Sequence, residues 1–162
     1  MRAMTRADPH RPPHPEPPGA AGSTLLYLMK QLEQAVRARL DELFRPEGMT
    51  ALQYTALTVL ERHPDLTSAQ LARNSFVTNQ SMADMVTTLE GRALLERHRD
   101  PADRRRLVLA LTAAGRRLLD KYRADVAALE REMLRGLDDA QATELRGYLL
   151  VCRANLSDQV PR

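Results

Sequence analysis

Threonine caps divide the middle of this chain into short helices. Thr50 with Gln53, and Thr67 with Gln70, each set a hydroxyl just before a helical stretch and an amide side chain three residues on. That spacing is the capping box, in which two side chains satisfy each other's orphaned backbone donors. The first box opens a helix that ends near Arg62, because His63-Pro64 stops it. The second opens a short helix to about Asn74. Four residues later Thr78 caps another, with Val77 and Met82 placed as a hydrophobic staple, and this one runs to about Gly91. Two short helices joined by a turn of three or four residues form a helix-turn-helix.

The flanking segments are longer. From near Ser23, Leu25, Leu28, Met29, Leu32, Val36, Leu40 and Leu43 form one apolar stripe. Glu33 and Arg37 lie four apart on the other face and favour the helix. R-P-E-G, Arg45 to Gly48, breaks it. After the helix-turn-helix, Leu94 to Arg99 and Arg106 to Leu111 pair as a hairpin around D-P-A-D-R. Thr112 caps a long helix whose Leu119, Tyr122, Val126, Leu129 and Met133 step by three and four. Gly136, Asp138 and Asp139 end it. A last helix carries Leu145, Tyr148, Leu149, Cys152 and Leu156 on one stripe.

Charge is concentrated on the hairpin. Between Arg92 and Arg117, eight arginines face three acids, so that stretch carries +5 against +3 for all 162 residues. A local field of this size implies an anionic partner: nucleic acid, an anionic membrane or an acidic protein. Residues 1–22 hold six of the ten prolines and little to bury, which predicts a disordered tail. His10 and His14 in it do not make a four-ligand metal arrangement. The single cysteine forbids an intramolecular disulfide and suits a reducing compartment. No apolar run reaches transmembrane length, and the N-terminus lacks a signal-peptide core. A cytoplasmic protein is the expectation, with no membrane partner.

The segment D-P-A-D-R-R-R-L-V-L-A-L-T-A-A-G, Asp100 to Gly115, resembles the wing signature of MarR-type transcriptional regulators: D-x-R-D-x-R, hydrophobics, then L-T-x-x-G. The resemblance covers about residues 25–157. It implies a mainly α fold, a winged helix-turn-helix with long N- and C-terminal dimerisation helices and a two- to three-stranded β wing. The expected organisation is a tail over 1–22, an N-terminal dimerisation helix over 23–46, a DNA-binding region over 47–111, and C-terminal dimerisation helices over 112–162. The implied partners are a second copy of the chain and double-stranded DNA bearing a pseudo-palindromic operator. Recognition helices would enter major grooves and wing arginines the flanking minor grooves.

Carried over by position, Asp103 matches the acid of the wing and Arg105 the arginine at its tip. An acid two residues away can orient a guanidinium, and a preorganised guanidinium fits a narrow minor groove. Arg104 and Arg106 would contact phosphates. On the recognition helix, Gln80, Asp84 and Thr87 point away from Met82, Met85, Val86 and Leu89. Gln80 could read adenine, and Thr78, Asn79 and Ser81 could bond phosphate. Asp84 could accept from a cytosine amine or exclude wrong sites. No Lys or Arg occurs from Ser75 to Gly91. The family usually has glycine where this chain has Ala93, so either the helix ends at Gly91 or the turn is reshaped.

Cys152 reads as a buried thiol of the dimer interface. Isolated His63 and His98 make no zinc site, and no cofactor is implied. A repressor released by a small organic ligand, such as an aromatic anion, is the leading function, with Tyr27, Lys30, Gln53 and Tyr54 as candidate ligand contacts. The alternative is a winged-helix module that binds protein without specific DNA binding. An enzyme is not expected: there is no G-x-S-x-G, H-E-x-x-H or glycine-rich phosphate loop. Deleting residues 1–22 should leave the thermal midpoint within about 3 °C, under roughly 1 kcal/mol for a domain of this size. A larger drop in a melting curve would show that the tail is part of the core.

Overall fold

The computed structural model describes residues 23–157. They form two compact units, one ending at Arg37 and one beginning at Ala38. The Pro-rich tail lies outside the described residues. Helix α1, Leu25–Phe44, begins in the first unit. There the Thr24 hydroxyl accepts the Tyr27 N–H at 3.3 Å, and Glu33 accepts from Arg37 Nε at 2.7 Å. Leu25, Leu28, Met29 and Leu32 of the apolar stripe are exposed.

The second unit takes in the end of α1, where Phe44 is fully buried. Its ring stacks on Tyr54 at 4.3 Å and meets Tyr122 edge-on at 5.2 Å. Contacts of this kind contribute about 0.5–1.5 kcal/mol beyond area alone. A single 3-10 turn, Arg45–Glu47, leads to α2, Ala51–Arg62. Then come α3, Ser68–Asn74, and α4, Asn79–Gly91. Both capping boxes form, and Thr78 accepts from the Ser81 N–H as the cap of α4. Asp41 Oδ1 takes a further orphan donor of α2, the Ala51 N–H, at 2.6 Å.

Strands β1, Leu95–Arg99, and β2, Leu107–Leu111, pair antiparallel from Leu95 opposite Leu111 to Arg99 opposite Leu107. Each starts one residue later than its spacing suggests. Beside them, Leu66 makes one bridge to Leu109, so the sheet has two strands and a fragment of a third. Two long helices finish the unit: α5, Ala113–Met133, and α6, Asp139–Ser157. The core joins α2, α3, α4, the hairpin and α5 through Leu57, Leu60, Leu71, Met82, Val86, Leu89, Leu95, Leu109 and Leu119. Cys152, expected to be buried at a dimer interface, is exposed in the single chain, where no second copy covers it.

Three helical segments close alike. In each, one residue is left-handed, and the N–H of the residue after it bonds the carbonyl five residues back. After the 3-10 turn that residue is Gly48, φ 61°, with Met49 N bonding Phe44 O. After α3 it is Phe76, φ 57°, with Val77 N bonding Ala72 O. After α4 it is Ala93, φ 54°, with Leu94 N bonding Leu89 O. So α4 does end at Gly91, and the turn keeps its shape with alanine in the strained position. A side chain there costs about 1–2 kcal/mol relative to glycine.

The Ala93 turn is bonded directly to the start of α5. The Thr112 hydroxyl donates to Ala93 O at 2.6 Å and accepts the Gly115 N–H at 3.0 Å. The Thr112 N–H donates to Leu94 O at 3.2 Å. A Cβ on Gly115 would lie 2.1 Å from that same carbonyl oxygen, so only glycine fits. Thr112 and Gly115 of the L-T-A-A-G run thus hold one corner, where α4, the hairpin and α5 meet. Glu47 supports it from the other side. Its carboxylate takes Lys121 and, at 3.3 Å, the Tyr122 hydroxyl; its carbonyl accepts from Arg92 at 2.7 Å. The Lys121 bond holds the Glu47 carboxyl below its ordinary pKa.

Ala93→Gly should therefore stabilise the protein by about 1 kcal/mol, read as a raised denaturation midpoint. Gly115→Val should cost about 2 kcal/mol or more. A neutral Gly115→Val would show that the corner is loose.

Candidate nucleic-acid interface

The surface of α4 divides cleanly. Met82, Val86 and Leu89 are buried, while Asn79, Gln80, Ser81, Asp84 and Thr87 are exposed, as their spacing predicts. Thr78 spends its hydroxyl on the cap, accepting from Ser81 N at 3.1 Å and donating to Ser81 Oγ at 2.9 Å. The N–H groups of Asn79 and Gln80 lie in the first turn, where a helix has no internal acceptors and favours an anion. Gln80 Nε2 donates to Asp84 Oδ1 at 3.3 Å. The acid in the middle of the face therefore braces the amide one turn before it. Thr87 bonds its own helix at Ala83 O.

The wing tip is a chain of local closures. Asp100 Oδ1 accepts the Ala102 N–H at 2.9 Å, and Asp103 Oδ1 accepts the Arg105 N–H at 3.0 Å. Each is a side chain bonding the backbone two residues on, as Asp does in turns. Asp103 therefore holds the backbone of Arg105, where sequence reasoning had it hold the guanidinium. Two residues is the natural reach of an Asx turn, and the amide is the nearer donor. Asp100 N to Arg106 O and Arg106 N to Asp103 O close the loop at 3.0 and 2.9 Å.

The arginines divide into two groups. Arg99 donates to Arg104 O at 3.2 Å, and Arg97 pairs with Glu90 of α4 at 2.9 Å. Arg106 lies 3.6 Å from Asp100 and 3.4 Å from Gln70 Oε1, the same oxygen that closes the α3 capping box. These three brace the wing. The side chains of Arg104 and Arg105 make no ion pair among the described residues and stand exposed at the tip. Sequence reasoning grouped Arg106 with Arg104; the tie to Gln70 spans 36 residues and leaves no local signal.

The candidate ligand contacts have local partners. Lys30 lies 3.6 Å from Glu33, and Tyr27 is exposed. Gln53 completes its capping box. Tyr54 stacks on Phe44, and burial pushes its hydroxyl pKa up. No helix among the described residues is long and apolar enough to cross a membrane.

Residues 47–106 match the profile of the MarR family. The chain is 31% identical over 130 residues to the HTH-type transcriptional repressor Rv2887 of Mycobacterium tuberculosis, covering 80% of this chain and 94% of that one. Its fold is similar to a MarR family transcriptional regulator from Silicibacter pomeroyi, with TM-score 0.81 and 21% identity over 88% of this chain and 95% of that one. It is also similar to CouR of Rhodococcus jostii bound to p-coumaroyl-CoA, with TM-score 0.72 and 25% identity over 81% and 92% of the two chains.

If the Asx turn sets the wing tip, Asp103→Ala should speed amide exchange at Arg105 about tenfold, the equivalent of one ordinary hydrogen bond. The melting temperature should barely move. Unchanged exchange would show that the neighbouring turn bonds suffice.

Proposed function

This chain belongs to the MarR family, and on that premise we propose that it is a dimeric, sequence-specific DNA-binding repressor released by a small organic ligand. The observation that carries this is the wing tip, where Arg104 and Arg105 extend from a backbone closed by Asp100 and Asp103 while the other wing arginines are tied down. A guanidinium on a preorganised loop loses little freedom on entering a narrow minor groove. The family and the named relative are transcriptional regulators, not enzymes.

In this reading the two copies place α4 in successive major grooves. Gln80 reads a base edge, with Asp84 holding its amide and contributing to base choice. Asn79 and Ser81 bond phosphates from the first turn of the helix, beside the Thr78 cap, and Thr87 lies further along the same face toward a base edge. Arg105 enters the minor groove, while Arg104 and, by its exposed edge, Arg106 meet phosphates. Because α4 carries no basic residue, affinity leans on the wing and sequence choice on α4.

Dimerisation through α1, α5 and α6 is supported by the apolar residues each leaves exposed: Leu25 and Leu32 on α1, Met133 on α5, and Leu149, Val151 and Leu156 on α6. A second copy would bury them, and Cys152 with them. Residues 47–111 would then form the DNA-binding region between dimerisation helices, in a cytoplasmic protein. Release by a ligand is supported by the neighbour that holds p-coumaroyl-CoA.

A footprint on the gene's own upstream region should show two protected half-sites about one helical turn apart. Arg105→Ala should weaken operator binding by about 1–3 kcal/mol without unfolding the protein. Unchanged affinity would mean that the wing tip is idle.

A further inference from the structure

Asp84 stands exposed on the face of α4 that meets the duplex in the proposed function. A carboxylate there repels phosphates, so its presence needs a reason. Local structure does not give one. Asp84 is the sixth residue of α4, beyond the first turn, and only the first turn of a helix favours an acid. Aspartate is also a weak helix former. Asp84 makes no ion pair among the described residues, and no Lys or Arg occurs from Ser75 to Gly91. Its side-chain bond is the one that it accepts from Gln80 Nε2 at 3.3 Å.

That bond fixes which way round the Gln80 amide lies. The two ends of a carboxamide differ, since the oxygen accepts and the NH2 group donates. A carboxylate only accepts, so Asp84 holds the NH2 end. One N–H is spent on Asp84; the other N–H and the carbonyl oxygen remain. In the major groove adenine offers an acceptor, N7, beside a donor, N6, and that remaining pair matches them. Guanine offers two acceptors, N7 and O6. Meeting guanine with two bonds takes both N–H groups, and Asp84 holds one of them. Thymine and cytosine each offer a single polar group there. The hydroxyls of Thr78, Ser81 and Thr87 are bonded within α4 or its cap. The other exposed amide, Asn79, has no side-chain hydrogen bond among the described residues to fix it.

We propose that Asp84 is a positioning residue for base choice: by holding one amide N–H of Gln80, it makes Gln80 a reader of adenine and a poor reader of guanine. The acid itself touches no base. Its charge weakens binding to every duplex alike, whereas its hold on Gln80 separates one base from another. This role deepens the repressor reading and rests on it.

The test is selection by the full chain from a pool of random-sequence duplexes, with sequencing of the bound fraction. The forms compared are native, Gln80→Ala, Asp84→Asn and the double variant. Both residues are exposed, so every form should keep the native melting midpoint. The position that Gln80 reads is the one whose base preference vanishes in Gln80→Ala. The native chain should take adenine over guanine there by about tenfold. The Asp84→Asn side chain meets Gln80 with either end of its own amide, so that margin should fall to about twofold while total binding holds or rises. The double variant should choose bases as Gln80→Ala does. An unchanged margin in Asp84→Asn, or guanine as the native choice, would overturn the role of Asp84. A preference that differs between the double variant and Gln80→Ala would make Asp84 a direct reader and overturn it as well. If no position responded to Gln80→Ala, the proposal would fall and the DNA-binding repressor would stand. A native chain that enriches no sequence would sink both together.

Discussion

The fold turns on the corner where α4, the wing and α5 meet. Leu94 O accepts the Thr112 N–H, and the same oxygen excludes any side chain at position 115. The Thr112 hydroxyl ties Ala93 O to the first turn of α5. Helix α4 and the wing are therefore fixed to the start of α5. A DNA-binding surface built from a helix face and a hairpin tip needs that rigidity, because its two parts must meet grooves of the same duplex in a fixed register.

The corner also shows where this chain tolerates strain. At Gly48 the left-handed position is filled by glycine; at Ala93 and Phe76 it is not. Ala93 is held by the Thr112 bond, so its cost is met by tertiary structure. Phe76 has no such support and stays exposed. Two similar helix ends thus differ: one is tied into the fold and the other is not.

Much of the architecture was legible in the sequence because its determinants are local. Thr50, Thr67, Thr78 and Thr112 each act on a backbone group three residues away, and every one caps the helix its spacing indicates. The apolar face of α4 is equally short-range. What escaped were long-range ties: Arg106 to Gln70, Arg92 to Glu47, and His98 to Asp65 at 2.9 Å. Spacing carries no signal for these. Asp103 lies between the two cases. Its importance was readable, but the donor it holds was not, since a flexible guanidinium and a nearby amide compete and the shorter ring closes first.

In the proposed function, the wing's local charge, on a fold otherwise near neutral, serves duplex DNA. The direct test is the affinity of the purified protein for its own upstream duplex, and for random duplex, across a salt series. Log K should fall linearly with log salt, with a slope near 0.9 per phosphate neutralised, and the upstream duplex should stay preferred at about 150 mM salt. A flat salt response, or equal affinity for both duplexes throughout, would contradict it.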